Sequence, residues 1–392
     1  MTVYTFETMT QANADAFVAA RDSIFFSDAA NTAFNLTVSN GPASNQVTLT
    51  TVAGISRIFD AGLLQDAGLA GRISFRDSDT LLVTGTAGNN ASTFNAGVSA
   101  TSGGVFYGFD GNDTITTSAV PSYAYGGNGN DSITGGASND HLYGFGLTGD
   151  PSTDGIDNIN GGAGNDYIQG NAGNDVLSGG DGSDRIQGGQ GQDRINGNDG
   201  NDVINGNRGN DSISGGEGND IARGGQDNDQ IGGDAGNDIL SGDLGNDTLT
   251  GGAGYDVLTG GAGNDVFVFG SGDAFLTVTG PSAFLSDRIT DFTIGQDKID
   301  LGFVLGANDS DIRHAPAGST VTSLSDASQL AQQVIDAAET ASAGAGASAV
   351  VAIQVGSDTY LFYHGNGSNE VNGMIRLDAV VAADFTGSSI FH

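Results

Sequence analysis

Cysteine and tryptophan are absent from this 392-residue chain, and lysine occurs once, at Lys298. Without cysteine there is no disulfide framework and no thiolate metal site, although that absence fits reducing and oxidising surroundings alike. Twelve basic residues stand against 47 acidic ones, a formal charge of −35. So few Lys and Arg exclude nucleic acid, whose phosphates need clustered basic residues, and make an anionic membrane a poor partner. No apolar run approaches the roughly 20 residues of a membrane-spanning helix. The N-terminus shows no basic segment followed by an apolar one, so neither Sec-type export nor membrane insertion is expected.

Glycine and aspartate fill the space that the missing types leave. There are 66 Gly, and only four of the acids are Glu (Glu7, Glu217, Glu339, Glu370). Aspartate is the carboxylate that reaches from tight turns, so a basic partner or bound cations are implied.

A nine-residue repeat governs the middle of the chain. Asp recurs without a break at Asp157, Asp166, Asp175, Asp184, Asp193, Asp202, Asp211, Asp220, Asp229, Asp238, Asp247, Asp256 and Asp265. Gly stands five before each Asp from Gly161 to Gly260, Gly or Asn usually four before, and Gly nearly always two before. Two positions after Asp comes an apolar residue, from Ile159 and Ile168 through Leu258 to Phe267. Upstream the register continues with flaws: Asp113, Asp131 and Asp140 keep it, Ser122 replaces one Asp, and Gly85 to Ser92 is a worn first copy with Asn90 for Asp. Eight extra residues between Asp140 and Asp157 read as a loop that leaves the repeat and re-enters it.

Six of the nine positions are turn formers, and the other three make a short strand whose central aliphatic points inward. Two repeats then complete a coil of eighteen residues, and stacked coils give two parallel sheets with aspartate turns along both edges. One buried aliphatic per nine residues is little apolar burial against the entropy of ordering nine backbones. Stacked carboxylates also repel, so a cation must bridge the edges. A hard divalent ion suits carboxylate and carbonyl oxygens, whereas zinc would demand Cys or His.

The repeat resembles the RTX (repeats-in-toxin) nonapeptide GGxGxDxUx, which binds calcium in a parallel β-roll. The resemblance implies that one turn gives carbonyls from positions two and four plus its Asp, and the turn one coil later gives positions one and three plus its Asp. Gly162, Gly164 and Asp166 would then pair with Gly179, Asp181 and Asp184. The same role is implied for Asp113, Asp131, Asp140, the thirteen repeat aspartates and the turn residues Gly161, Gly180, Gly182, Gly188, Gly189, Gly191, Gly215, Gly216, Gly218, Gly251, Gly252, Gly254, Gly260, Gly261 and Gly263. Pairs eighteen apart among the thirteen aspartates number six on one edge and five on the other, so with the upstream copies about a dozen calcium ions are expected. The sites nearest Asp227, Asp234, Asp243 and Ala222, where the consensus residue is replaced, are expected to be the weakest.

The expected fold is dominated by β-structure: a small α+β domain over 1–84, the parallel β-roll over 85–269, and a β-rich cap over 270–392. The first domain is read as one for anchoring or assembly. It is expected to hold a helix from Gln11 to Arg21 and strands at Phe34–Val38, Val47–Val52, Ile73–Phe75 and Leu81–Val83. The stretch from Phe267 to Leu301 resembles the cap that follows RTX rolls, with Asp287, Asp291, Asp297 and Asp300 as either ion ligands or solvated turn acids. Ser323 with Asp326 makes a capping box for a helix whose Leu330, Ala331, Val334, Ile335 and Ala338 share a face. A hairpin pairs Val350–Val355 with Thr359–Tyr363 across Gly356-Ser357-Asp358. The tail FTGSSIFH resembles an uncleaved signal read by type I secretion machinery, which implies a secreted, extracellular protein.

No HExxH and no GxSxG occurs, and the histidines His141, His314, His364 and His392 are scattered. His141, placed in a repeat turn, is read as a surface residue, and the chain is expected not to be an enzyme. A pore-forming toxin would need long apolar helices, which are missing. Two function classes stay open. One is a structural building block of the cell surface, a surface-layer or matrix protein that self-assembles; the other is a calcium-dependent adhesin for a cell-surface glycan. Because the roll is repetitive and acidic, copies of it are expected to repel, leaving contacts to the flanks at 1–84 and 302–392.

Overall fold

A computed structural model describes, with their side chains, residues 104–117, 120–145, 154–270, 286–301, 326–333, 350–363 and 373–382. Outside these it describes buried Leu49 and the backbone of short strands. Two compact units result, Met1–Asp199 and Gly200–His392. Their border lies inside the repeats.

In the first unit the repeats wind into a parallel β-roll. Successive strands alternate between two sheets, because each half-turn of nine residues carries the chain to the opposite face. One sheet holds Thr114–Thr116, Ser132–Thr134, Asn158–Ala163, Val176–Asp181 and Arg194–Asp199 in that order. The other holds Gly104–Asp110, Tyr123–Asn128, His141–Tyr143, Tyr167–Ala172 and Arg185–Gln190. The inward aliphatics stack in register, Ile159 beside Leu177 beside Ile195 and Leu142 beside Ile168 beside Ile186. All six are fully buried. The worn first copy keeps its strand, with Ser92 of Ala91–Thr93 opposite Ile115. Leu81–Thr84 pairs in parallel with Gly104–Asp110.

Ile133 pairs with Ile159 and Leu142 with Ile168, a separation of 26 residues. Eighteen of these are the coil, so the eight extra residues leave the ladder without shifting its phase. The strands are longer than the three residues expected: Tyr167–Ala172 and its equivalents take in six of the nine. Parallel pairing resumes beyond the bend, as at Gly162 with Gly180 and Ala163 with Asp181, so positions counted as turn also belong to the ladder. Position two of the repeat requires the left-handed region, which Gly reaches freely and Asn or Asp tolerate. Asn171, Asn207, Asp234 and Asp243 adopt it at φ of 71° to 78°.

Asn before the repeat Asp forms a second ladder that the consensus does not announce. The Oδ1 of Asn219 accepts the backbone N–H of Asn237 and that of Asn228 accepts the N–H of Asn246, each at 2.7 Å and eighteen residues on. His141 lies on a strand, not in a turn, with its ring between those of Tyr123 and Tyr167. The turn assignment counted from the carboxylates; the residue after each Asp is the first of the strand.

The rest of the first unit contains a parallel sheet of Val3–Thr5, Ser23–Phe26 and Ile73–Phe75. It also contains an antiparallel meander of Thr37–Asn40, Gln46–Thr50 and Ser56–Asp60. Thr37–Asn40, Gln46–Thr50 and Ile73–Phe75 overlap expected strands, Val3–Thr5, Ser23–Phe26 and Ser56–Asp60 have no counterpart among them, and the expected helix at Gln11–Arg21 lies outside the described residues.

The second unit repeats the roll architecture and carries it past the last nonapeptide. Val203–Arg208, Ile221–Gln226, Ile239–Leu244 and Val257–Ala262 form one sheet, and Ser212–Glu217, Gln230–Ala235, Thr248–Ala253 and Val266–Val268 the other. Asp287–Ile289 then adds to the first and Lys298–Asp300 to the second, both in parallel. Gly373–Leu377 follows Asp287–Ile289, and beyond it lies the expected hairpin, Asp358–His364 with Ala349–Val355, closing at Val355 opposite Asp358. A helix over 326–333 lays Ala327 and Ala331 on Val351, Ile353, Tyr360, Phe362 and Met374, which covers one side of the hairpin. The remainder of the expected helical face, Val334, Ile335 and Ala338, lies outside the described residues.

Candidate metal sites

Every repeat Asp is buried, none more than 3% exposed, although carboxylates are among the residues least often found inside. Their backbone holds them there. The N–H of Asp157 donates to Oδ1 of Asp175 at 2.9 Å, that of Asp166 to Asp184 at 2.7 Å, and that of Asp175 to Asp193 at 2.8 Å. In the second unit Asp202, Asp211, Asp220, Asp229 and Asp238 donate in the same way to the Asp eighteen residues on, each at 2.8 Å. Each carboxylate thus spends one oxygen on the ladder and turns the other toward the neighbouring turn.

That second oxygen is the informative one. In Asp131, Asp157, Asp166, Asp175, Asp220, Asp229, Asp238 and Asp247, Oδ2 is buried and accepts no hydrogen bond. A buried acceptor without a donor is costly, and a charged one more so. Beside each lies a cradle that a single methyl group would fill. A Cβ on Gly161 would collide with Oδ2 of Asp166 and the carbonyl oxygen of Gly179; one on Gly215 would meet Asp220 and, at 2.7 Å, the carbonyl of Gly233. Gly170 with Asp175 and Gly188, and Gly242 with Asp247 and Gly260, repeat the arrangement. Carboxylate and carbonyl oxygens from successive coils therefore converge with no nitrogen or sulfur among them, a donor set for a hard oxygen-seeking cation. Position four is held by the same stacking, the Gly164 N–H donating to the Asp181 carbonyl at 2.8 Å.

Without a cation, the electrostatics oppose ionisation. Burial, with lesser repulsion from neighbouring aspartates, raises Asp157 to about 9 against the pull of its backbone hydrogen bond. Burial likewise lifts Asp131, Asp166, Asp175, Asp229 and Asp238 to about 7, and Asp193 and Asp265 to about 6. An ion would reverse these shifts, because its charge favours the deprotonated ligand.

Not every expected ligand fits alike. Oδ2 of Asp140 accepts from the Gly136 N–H at 2.8 Å and the Thr117 hydroxyl at 3.2 Å, so its turn is already satisfied by protein. At Ser122 the hydroxyl donates to the Val120 carbonyl instead. The substitutions expected to weaken sites leave the ladder whole: Asp227 takes the left-handed conformation of the Gly it replaces, at φ 76°, and Ala222 is fully buried. In the cap, Asp287 and Asp297 continue the carboxylate row, accepting the N–H of Asp256 at 3.0 Å and of Asp265 at 3.1 Å. Their spacings of 31 and 32 residues hide them from an eighteen-residue count. The signal that marks them is the Asp-x-Ile triplet of the repeat, present as Asp287-Arg288-Ile289 and Asp297-Lys298-Ile299. Asp291 instead binds the N–H groups of Gly260 and Gly261.

Residues 123–146 and, in overlapping matches, 152–276 fit the RTX calcium-binding nonapeptide repeat family. The middle of the chain is built of RTX repeats. Calcium is the ion its repeats bind, in agreement with the all-oxygen donor set. Solved structures similar to the chain include the AlgE6R3 and AlgE6R2 subunits of the Azotobacter vinelandii mannuronan C5-epimerase. The first is 26% identical over 45% of this chain and 80% of its own, with a TM-score of 0.30. The second is 27% identical over 43% and 88%, with a TM-score of 0.26. An extracellular lipase of Serratia marcescens is 15% identical over 70% of this chain and 40% of its own, at a TM-score of 0.26. No curated protein sequence matches the chain.

The cradle gives a direct test of the RTX ligand set. Gly161 has an ordinary negative φ, so Gly161→Ala adds only a methyl group, aimed at Asp166 Oδ2 and the Gly179 carbonyl. Calorimetry is expected to count one calcium fewer per chain while the circular dichroism of the calcium form stays close to wild type. An unchanged stoichiometry would place the ion elsewhere.

Proposed function

We propose that this protein is a secreted, calcium-stabilised structural protein of the bacterial cell surface, a surface-layer or matrix building block that folds and assembles outside the cell. The observation behind this reading is the double row of buried carboxylates with oxygens turned into all-oxygen cradles: such a roll is stable only where calcium is plentiful. About a dozen ions are proposed, the cap carboxylates Asp287 and Asp297 extending the two rows by one step each. Export through type I machinery follows from the resemblance of the C-terminal tail, and among the described residues no helix is long and apolar enough to cross a membrane. The role proposed is mechanical and without catalysis, since neither a metalloprotease helix nor a nucleophile elbow occurs in the sequence.

Electron microscopy and sedimentation of the full chain, with and without millimolar calcium, test the proposal. Ordered sheets or filaments are expected only with calcium. A chain that stays a monodisperse monomer at saturating calcium and high concentration overturns the building-block reading, and one that then binds a polysaccharide is an adhesin.

A further inference from the structure

The roll keeps carboxylates off the outward positions of its nonapeptide strands. Along each strand, the residues one and three after the repeat Asp face outward, and in the nonapeptides of both units none of them is acidic. They are Thr114, Thr116, Ser132 and Thr134 on one sheet of the first unit, for example, and Tyr123, Tyr125, His141 and Tyr143 on the other. The reason is local: strand positions that pack side by side every coil would set like charges against each other, whereas turn carboxylates are held by the ladder and by calcium. The sheet faces are therefore the parts of this −35 chain where two copies meet without opposed carboxylates.

One of these faces has the composition of an interface core. Five of the nine tyrosines of the chain, Tyr107, Tyr123, Tyr125, Tyr143 and Tyr167, stand on it with His141. They form two columns. Tyr107, Tyr125 and Tyr143 stack at 5.0 and 4.8 Å with ring planes within 9°. Tyr123 and His141 stack at 4.5 Å and 1°, and Tyr167 closes the patch, 5.7 Å from both His141 and Tyr143. Tyr107 is buried and the others are half-exposed. Tyrosine enrichment with depletion of Asp, Glu and Lys marks the centres of protein interfaces.

We propose that this aromatic face is a self-association surface that docks on the same face of a second copy. The proposal rests on the building-block reading above and names the contact that reading leaves open. It also reverses the expectation that the roll is a spacer whose copies repel, because the carboxylates that would repel lie on the edges. A sugar is the poorer occupant. Saccharides pack on open ring faces, and here the faces cover one another, leaving ring edges and hydroxyl tips outward. An isologous two-fold contact suits such a patch, since tips spaced by one coil on one copy meet the same spacing on the other.

The experiment compares full-length protein with the double substitution Tyr125→Thr, Tyr143→Thr in saturating calcium. Threonine keeps β-propensity at both strand positions, and circular dichroism with calcium titration checks that the roll still forms. Sedimentation is expected to show self-association weakened at least about a hundredfold, the loss of two central aromatic contacts. Hydroxyl-radical footprinting of the unaltered protein gives a readout independent of any variant: Tyr123, Tyr125, Tyr143 and Tyr167 gain protection on association, and Tyr255 does not. If wild type and variant assemble equally, or the four tyrosines stay unprotected in the assembly, this contact is wrong while the building-block reading stands. If wild type remains monomeric, both fall. A monomer whose retention on a polysaccharide is lost in the variant makes the patch a glycan site instead.

Discussion

Adding a chelator to the folded chain is expected to abolish most of its β circular dichroism and to open residues 104–270 to protease, with full recovery on returning calcium. The driving quantity is the number of sites. At 10 mM calcium, sites with Kd of about 10⁻⁴ to 10⁻³ M each add about 1.4 to 2.7 kcal/mol. A handful of them together matches the roughly 5–15 kcal/mol by which ordinary domains are stable. The contributions are cooperative because each carboxylate touches two coils: Asp175 accepts the N–H of Asp157 and donates its own to Asp193. Removing the ions leaves Oδ2 of Asp157, Asp166 and Asp175 buried without a donor, and these are deprotonated at neutral pH in the unfolded chain. The expected titration is steep, with a transition sharper than a single site gives. A β signal and protease resistance unchanged in chelator would show that the aliphatic stack of Ile159, Leu177 and Ile195 suffices by itself.

Much of this was legible in the residues. Strict phase from Asp157 to Asp265 identifies the coil, its inward aliphatic and the carboxylate rows, because a solenoid makes every coil solve one packing problem with one set of residues. Phase also carried through the eight-residue insertion, where Asp131 donates to Asp157 and Asp140 to Asp166 across 26 residues. Legibility failed where geometry replaced periodicity. Asp287 and Asp297 belong to the rows by position in space, reached by connections of irregular length. The satisfied state of Asp140 depends on Thr117, from an earlier coil, and no linear pattern marks it. The exclusion of carboxylates from the sheet faces was present in the sequence as the absence of acids one and three after each Asp, but net composition conceals an absence at particular positions. The aromatic columns follow from the same period, since Tyr107, Tyr125 and Tyr143 stand eighteen residues apart, but a reading that tracks Asp and the inward aliphatic passes over the outward positions.

Acid and calcium are expected to act on the roll in opposite directions. In the metal-free fold, burial lifts Asp166, Asp175, Asp229 and Asp238 to about 7 and Asp157 to about 9, whereas an Asp in the unfolded chain titrates near 3.9. A folded-state pKa raised above the unfolded one means that folding takes up protons between those values. The stability these groups contribute is present in full below about pH 4 and is lost as pH rises through about 7, or about 9 for Asp157. Chelated protein is therefore expected to be more folded at pH 5 than at pH 7.5, the reverse of ordinary acid denaturation. Protonating a ligand also removes it from the cation, so the calcium concentration at the folding midpoint is expected to rise as pH falls from 7.5 to 5. Circular dichroism melts across this window, with chelator and with saturating calcium, provide the check, and pH 5 keeps the chain above its sequence pI of about 4.1. The two series should cross: acid stabilises the empty roll and weakens the filled one. Parallel pH dependence in both would mean that the buried aspartates are not the groups linking protons to calcium.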